Sequence, residues 1–214
     1  MREVWGEKGA GATAPSRGRG NLEQKIIRDR IPHSPPIGQD SNFMKVTLYM
    51  AMSLNGYIAE ENGSEDFLSH ENWEKFCSLA QRCGNFIVGR KTYEAVKNWG
   101  GGFGFDDLTG IKKVIISQDE NYKLSEGYTL ALSPEDALSK LQNFESVLIT
   151  GGSTINTAFI KANLLDEIIV NIEPAVVGKG IPLFTKSDFH KKLEFVSSET
   201  SKNGVLSLKY GVQK

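Results

Sequence analysis

The chain has 214 residues, which is enough for one domain with or without an additional tail. Its 25 Lys and Arg side chains nearly balance its 26 Asp and Glu side chains, which argues against a nucleic-acid-binding protein because such proteins usually carry a basic excess. The sequence contains no apolar run as long as a membrane span, and no apolar stretch typical of a secretory signal stands near its start. We therefore expect a cytoplasmic protein that acts on a small molecule and binds neither nucleic acid nor a membrane.

The cysteines and histidines are too widely separated to suggest a metal site. Cys77 and Cys83, the two cysteines, form neither a Cys-x-x-Cys motif nor a disulfide framework. His33, His70 and His190 are not at metal-ligand spacing from a cysteine or from one another. We expect two reduced thiols and no bound metal.

Residues 1–43 differ in composition from the rest of the chain. They hold glycine-rich runs, few apolar residues and four of the seven prolines, namely Pro15, Pro32, Pro35 and Pro36. Such a stretch buries too little apolar area to offset the entropy lost on ordering, so we expect a disordered tail or leader followed by one domain at 44–214. Met44 directly precedes the first strand pattern and is a candidate start. A second interpretation of the arginines at 17 and 19 is an arm that contacts RNA or a membrane.

From residue 45 onward, strand and helix patterns alternate. In chain order they predict strand 46–52, helix 72–83, strand 86–88, helix 91–97, strands 113–116 and 128–130, helix 134–143, strand 146–150, helix 154–162 and strand 167–172, then strands 193–198 and 205–211. Asn203-Gly204 is a strong hairpin signal between the last two strands. This alternation predicts an α/β fold with a mainly parallel mixed sheet, helices on both faces and a closing antiparallel hairpin.

Candidate ligand-binding residues follow the predicted strands, because open α/β sheets bind ligands beyond the carboxyl ends of their strands. The strand at 86–88 runs into Gly89, and a helix then opens with Arg90, Lys91 and Thr92. A glycine allows close approach of a ligand, a helix N-terminus offers free N–H groups, and an arginine suits phosphate. A solvated helix start is an equally good interpretation of these residues taken alone.

Two further strand ends carry similar signals. The strand at 146–150 meets Gly151 and Gly152 before a helix that opens with Ser153 and Thr154, which suits a pyrophosphate lying across the backbone. Ser117 follows the third strand and offers a hydroxyl to a phosphate or ribose. A tight turn and an ordinary turn serine are the alternatives. Together the three strand ends favour an extended, phosphate-bearing cofactor at one edge of the sheet.

Four segments of the chain resemble the dihydrofolate-reductase superfamily, and most closely its riboflavin-biosynthesis reductase branch, the C-terminal part of bifunctional deaminase-reductases. They are Tyr49–Ala59, Gly89–Glu94, the Gly151–Thr154 turn with the residues that follow it, and Glu173–Phe184. The similarity covers essentially all of residues 45–213. It implies a three-layer αβα dihydrofolate-reductase-like fold and an NADPH-dependent reductase.

The resemblance also assigns roles to residues. Ala51 and the loop at 55–59 would border the nicotinamide, Gly151–Ile155 would hold the pyrophosphate, and Gly89–Thr92 with Ser117 would hold the adenosine 2′-phosphate side, with Arg90 as the main cation. Asn55 and Asp66 would face the substrate. Relatives are often homodimers, and the apolar stretch at 168–177 is compatible with an interface, although core packing explains it equally well.

Two departures from the resemblance shape the expected function. Dihydrofolate reductases carry a carboxylate on their first helix, and here Asp66, Glu71 and Glu74 are the candidates, none of them at a clearly matching position. The deaminase motifs H-x-E and P-C-x-x-C are absent from residues 1–43, which suggests a stand-alone reductase.

The expected reaction is hydride transfer from NADPH to a C=N or C=O bond of a small heterocycle or ribosylated pyrimidine, as in 5-amino-6-(5-phosphoribosylamino)uracil reductases. Dihydrofolate reduction and a non-catalytic NADP-binding module are the alternatives. The loops at 60–70 and 98–110 would select the substrate, with Gly100–Phe105 as a candidate flap.

Overall fold

The computed structural model describes residues 44–99 and 103–214. The tail expected at 1–43 and the glycines Gly100–Gly102 of the candidate flap lie outside the described residues. In chain order the elements are β1 Lys45–Ser53, β2 Tyr57–Glu60, α1 His70–Cys83, β3 Asn85–Gly89, α2 Arg90–Lys97, a 3-10 helix Phe105–Asp107, β4 Lys112–Ile116, β5 Tyr128–Ala131, α3 Pro134–Ser139, β6 Ser146–Ile149, α4 Ser153–Lys161, β7 Glu167–Glu173, β8 Gly180–Pro182, β9 Leu193–Thr200 and β10 Leu206–Val212.

Eight of these strands form one sheet in the order β5-β4-β3-β6-β1-β7-β10-β9. The central strand β1 is parallel to β6 on one side and to β7 on the other. β10 is antiparallel to both of its neighbours, β7 and β9, so the closing hairpin forms one edge of an otherwise parallel sheet. The predicted mixed sheet is therefore confirmed. Its six parallel strands end along one edge, which places the predicted ligand-binding residues on the same side of the molecule.

Helices cover both faces of the sheet, which makes the three-layer αβα architecture. Alternate residues of β1 face opposite layers, as the two-residue period of a strand requires: Leu48 packs in one core and Tyr49 in the other. The core on the Tyr49 side receives α1 and α2, through Phe76, Ala80, Tyr93 and Val96. The core on the Leu48 side receives α3 and α4, through Ala137, Phe159 and Ile160.

The elements differ from the sequence prediction in two respects. The helix predicted to reach residue 143 ends at Ser139, and the chain continues as turns that still bury Leu141 in the core. A small second sheet of β2 and β8 was not predicted. β2 has four residues and β8 has three, with a glycine and a proline among them, so neither shows a strand pattern of useful length.

The fold also tests two other expectations from the sequence. The hairpin turn at Asn203-Gly204 is confirmed, since Gly204 has a φ of 82° between β9 and β10. The apolar stretch that was compatible with an interface begins as β7, which lies inside the sheet between β1 and β10 and buries Ile168 and Val170. Core packing accounts for these side chains. None of the helices in the described residues is long and apolar enough to cross a membrane.

We predict that Leu48→Ala lowers the free energy of unfolding by about 2–5 kcal/mol, because Leu48 is fully buried in the central strand and truncation leaves a cavity. The matched control is Leu54→Ala, whose side chain is 66% exposed just beyond β1, and which should change the free energy by less than about 0.5 kcal/mol. Urea denaturation followed by circular dichroism measures both. Equal losses in the two variants would contradict the assignment of β1 to the core.

Candidate functional site

A cleft of about 620 Å³ opens at the carboxyl ends of β1 and β6, between α1 and α2. This volume is typical of a small-molecule or cofactor site. Its floor is formed by residues at the end of β1 and just after β6, including Ala51, Thr150 and Gly152. Aromatic side chains form much of the wall, namely Trp73, Phe76, Trp99, Phe103 and Phe105.

The two glycine loops predicted from the sequence meet beside this cleft. The backbone N–H of Gly89 donates to the carbonyl oxygen of Gly151 at 2.8 Å. A Cβ atom on Gly89 would lie 2.7 Å from Cγ1 of Ile155, and one on Gly152 would lie 2.8 Å from the hydroxyl oxygen of Thr92. Glycine is therefore required here by close packing of the two loops, and it also leaves the backbone open to a ligand.

Two helices begin at these loops with unsatisfied donors. α2 and α4 have Gly89 and Gly152 as N-caps, and neither N-cap supplies a side-chain acceptor to the first helical N–H groups. Ser153, at the start of α4, is buried, and its hydroxyl has no hydrogen-bond partner among the described residues. Free N–H groups, an unpartnered hydroxyl and the positive end of a helix dipole together fit a phosphate group.

Arg90, the first residue of α2, lies against the loop that follows β4. Its guanidinium is 5.3 Å from the ring centre of Tyr122, and its Nη1 atom is 3.7 Å from Oε1 of Glu94. The Tyr122 hydroxyl donates to the same Glu94 oxygen at 2.9 Å. Ser117 is buried at the start of this loop, where its hydroxyl accepts a hydrogen bond from the backbone N–H of Asp119 at 3.1 Å. Arg90 is thus held against the loop that follows β4 by Tyr122 and Glu94.

A buried polar network joins α1 to β7 behind the cleft. Oε1 of Glu173, at the end of β7, accepts hydrogen bonds from the backbone N–H of Ser69 at 2.9 Å, from its hydroxyl at 2.8 Å and from the side-chain amide of Asn72. The Asn171 amide donates to Oδ1 of Asn72 and to the hydroxyl oxygen of Tyr49, both at 2.6 Å. Burial raises the pKa of Tyr49, so this phenol stays neutral and donates to the Asn72 carbonyl at 3.1 Å.

This network explains why no acidic residue stood out on the first helix. The polar residues that α1 presents to the cleft are His70 and Asn72, neither of them acidic, and the carboxylate that contacts Asn72 comes from Glu173 on a distant strand. Glu71 instead pairs with Lys75 at 2.8 Å, and Glu74 lies 3.4 Å from His70 on an exposed surface. Sequence reasoning missed Glu173 as a site residue, although it opens one of the segments that carry the resemblance.

Glu65 is a second site residue that the sequence did not indicate. It lines the cleft from the loop between β2 and α1, and its carboxyl forms no hydrogen bond or ion pair with the residues that the structure describes. Burial without a compensating charge raises the pKa of Glu65 to about 7. A carboxyl group with that pKa is able to hold and release a proton near neutral pH. Nothing in the local sequence distinguishes it from its exposed neighbours.

The structure brings most of the predicted site residues to one edge of the sheet. Ala51, Asp66, Thr92 and Gly152 line the cleft itself. The other predicted cofactor residues belong to the two glycine loops, the helix starts and the β4 end, namely Gly89, Arg90, Lys91, Ser117, Gly151, Ser153, Thr154 and Ile155.

Asn55 is not among the residues that line the cleft. Its amide nitrogen donates to the Val177 carbonyl at 2.7 Å, and its Oδ1 atom accepts from the Val177 N–H at 3.1 Å. The Ser53 hydroxyl contacts the same oxygen at 2.9 Å. In this structure the side chain joins the loop after β1 to the segment after β7.

The fold and the cleft define the class of protein first. A mostly parallel sheet between two helix layers, with a cleft where glycine loops end β3 and β6, is the dihydrofolate-reductase-like arrangement. The dihydrofolate reductase of Enterococcus faecalis, solved as a complex with NADP(H), matches 79% of this chain and 97% of its own, with a TM-score of 0.60 and 18% identity. At that identity the likeness shows the fold alone.

Residues 44–207 match the RibD C-terminal domain, and this chain belongs to that family. The uncharacterized protein YwjB of Bacillus subtilis (strain 168) is 33% identical over 155 residues, which are 70% of this chain and 87% of YwjB. A diaminohydroxyphosphoribosylaminopyrimidine deaminase/5-amino-6-(5-phosphoribosylamino)uracil reductase from Thermotoga maritima matches 79% of this chain and 57% of its own, with a TM-score of 0.61 and 19% identity. The predicted membership of the riboflavin-biosynthesis reductase branch is thereby confirmed.

We predict that Glu173→Ala lowers the free energy of unfolding by about 3 kcal/mol, because it removes a charged acceptor from three buried donors of Ser69 and Asn72. Glu173→Gln keeps one acceptor oxygen and should lose less. Glu199→Ala, on the exposed strand β9, is the control and should change stability by less than about 0.5 kcal/mol. A loss in Glu173→Ala no larger than in this control, measured by urea denaturation, would show that the network does not hold α1 to the sheet.

Proposed function

We propose that this protein is an NADPH-dependent reductase that transfers hydride to a C=N or C=O bond of a small heterocycle or ribosylated pyrimidine. The main supporting observation is the junction of two glycine loops and two helix N-termini beside a cleft with aromatic walls. Family membership and the reductase activity in the name of the Thermotoga protein agree with this proposal.

The residues present fit a dinucleotide phosphate. Gly151, Gly152 and the start of α4 would hold the pyrophosphate, since they combine open backbone with the unpartnered Ser153 hydroxyl. Arg90 and Ser117 would hold the adenosine 2′-phosphate, and Ala51 would border the nicotinamide. When bound, NADPH supplies the hydride, and the protein orients the substrate against it and excludes water.

Reduction of a C=N or C=O bond also needs a proton on the nitrogen or oxygen. Glu65 lines the same cleft as Ala51 and Thr150, and because burial raises its pKa to about 7, about half of its carboxyl groups carry a proton at pH 7. We assign to it the donation of that proton. Asp66, which the sequence suggested for the substrate side, lies beside it at the exposed edge of the cleft.

The first test is a titration of the protein with NADPH and, separately, with NADH, in which binding is followed by the quenching of tryptophan fluorescence. We expect NADPH to bind more tightly, and Arg90→Ala to remove most of that preference, since a charged hydrogen bond to phosphate contributes about 1.5–3 kcal/mol. Arg82→Ala, at the exposed end of α1, is the matched control and should leave both affinities unchanged. If neither nucleotide binds to the intact chain, the proposed reductase function is wrong.

The second test is the pH dependence of turnover with 5-amino-6-(5-phosphoribosylamino)uracil and with its dephosphorylated form. Because the acid form of Glu65 is present below pH 7 and lost above it, kcat/KM should fall by about tenfold per pH unit above about pH 7. Glu65→Gln should lower the rate and abolish this decline, whereas Glu61→Gln, an exposed residue of the same loop, should retain it. A pH profile that is unchanged in Glu65→Gln would assign the proton to another group.

A further inference from the structure

The charges around the cleft restrict what it can hold. Among the described residues that line it, none is a lysine or an arginine, whereas two are the acidic residues Glu65 and Asp66. Gly100–Gly102, which lie outside the described residues, add no charged side chain to the neighbouring loop by sequence. The titratable groups that remain at the cleft are the neutral phenol of Tyr49 and the exposed imidazole of His70.

Three cations on the flanking helices are engaged elsewhere, and the other two, Arg82 and Lys91, do not line the cleft. Lys75 of α1 pairs with Glu71 at 2.8 Å. Lys97 of α2 donates to the Ser125 hydroxyl at 3.0 Å and lies 5.2 Å from the ring centre of Tyr93. Arg90 is held by Glu94 and Tyr122, as described above. Among the described residues, the substrate side of the cleft therefore carries acidic side chains and no lysine or arginine.

The aromatic walls suit a flat, uncharged ring. Trp73 and Trp99 lie with ring centres 5.4 Å apart, and Phe103 packs against His70 at 4.7 Å. Trp99 is 37% exposed and Phe103 is 41% exposed, so part of each ring is accessible to a ligand. Exposed aromatic faces that border the cleft offer stacking and edge contacts to a planar heterocycle.

We propose, on the basis of the reductase function above, that the substrate is a planar heterocycle without a phosphate group, held by the aromatic walls, and that the acidic cleft excludes the phosphorylated form. A phosphate monoester carries about −1.5 to −2 charges at neutral pH. In the cleft it would meet the Asp66 carboxylate and the partly ionised Glu65 carboxyl, with no counter-charge from the described residues that line the cleft, and like charges brought together in this way are repelled. Bases and aglycones that carry hydroxyl or amide groups instead of a phosphate avoid this repulsion.

Two compounds that differ only in a phosphate test the proposal directly. They are 5-amino-6-(5-phosphoribosylamino)uracil and the same compound after removal of its phosphate. Binding is measured on the full chain in the presence of NADP⁺, so that no turnover occurs, by quenching of tryptophan fluorescence, to which Trp73 and Trp99 of the cleft wall contribute. We expect the dephosphorylated compound to bind at least about tenfold more tightly, because of the repulsion between like charges.

A charge reversal at the cleft edge provides a second measurement. Asp66→Lys should narrow or reverse this preference by improving binding of the phosphorylated compound, while the affinity for NADPH stays the same. Glu61→Lys makes the same change of charge on an exposed residue of the same loop that does not line the cleft, and it should leave the preference as in the natural protein.

Several outcomes would overturn the proposal. The first is equal or tighter binding of the phosphorylated compound by the natural protein. The second is an identical response of Asp66→Lys and Glu61→Lys. Binding of NADPH without binding of either heterocycle would reject this substrate class while leaving the cofactor site in place. Absence of NADPH binding would instead reject the reductase function itself, so the two failures are distinguishable.

Discussion

The close approach of the loops that end β3 and β6 is the constraint on which the rest of the site depends. Gly89 and Gly151 are joined by a backbone hydrogen bond, and neither Gly89 nor Gly152 has room for a Cβ atom beside its neighbour. Because these loops touch, α2 and α4 begin side by side at one edge of the sheet, although they cover opposite faces of it. Two sets of free helical N–H groups are thereby brought to the rim of a single cleft.

The opposite wall of the cleft depends on a different contact. α1 carries Asn72 and Trp73, and it is attached to β7 by the Glu173 carboxylate through Ser69 and Asn72. A buried carboxylate that accepts three hydrogen bonds is stable, whereas its removal leaves three donors unsatisfied. The polar network therefore sets the position of the aromatic wall relative to β1. In this way one carboxylate behind the cleft supports the orientation of side chains that line the cleft.

The two halves of the site have opposite electrostatic character. The proposed cofactor half offers N–H groups, the Ser153 hydroxyl and Arg90, all suited to anions. The proposed substrate half offers aromatic rings with Glu65 and Asp66, which are suited to a neutral or basic heterocycle. This asymmetry would keep the phosphates of a bound dinucleotide apart from the reacting ring, and it is the basis for expecting an unphosphorylated substrate.

The sequence by itself determined the order of strands and helices, the αβα class and the two glycine loops, because periodicity, Gly-Gly turns and helix-start signals act over a few neighbouring residues. Only the tertiary structure decided which carboxyl groups matter. Glu173 contacts Asn72 across about a hundred residues of chain, and Glu65 has a raised pKa only because distant elements exclude water from it. The small β2–β8 sheet was likewise decided by tertiary contacts, since strands of three and four residues carry no pattern of their own. Burial and long-range pairing are properties of the folded chain, and no local signal records them.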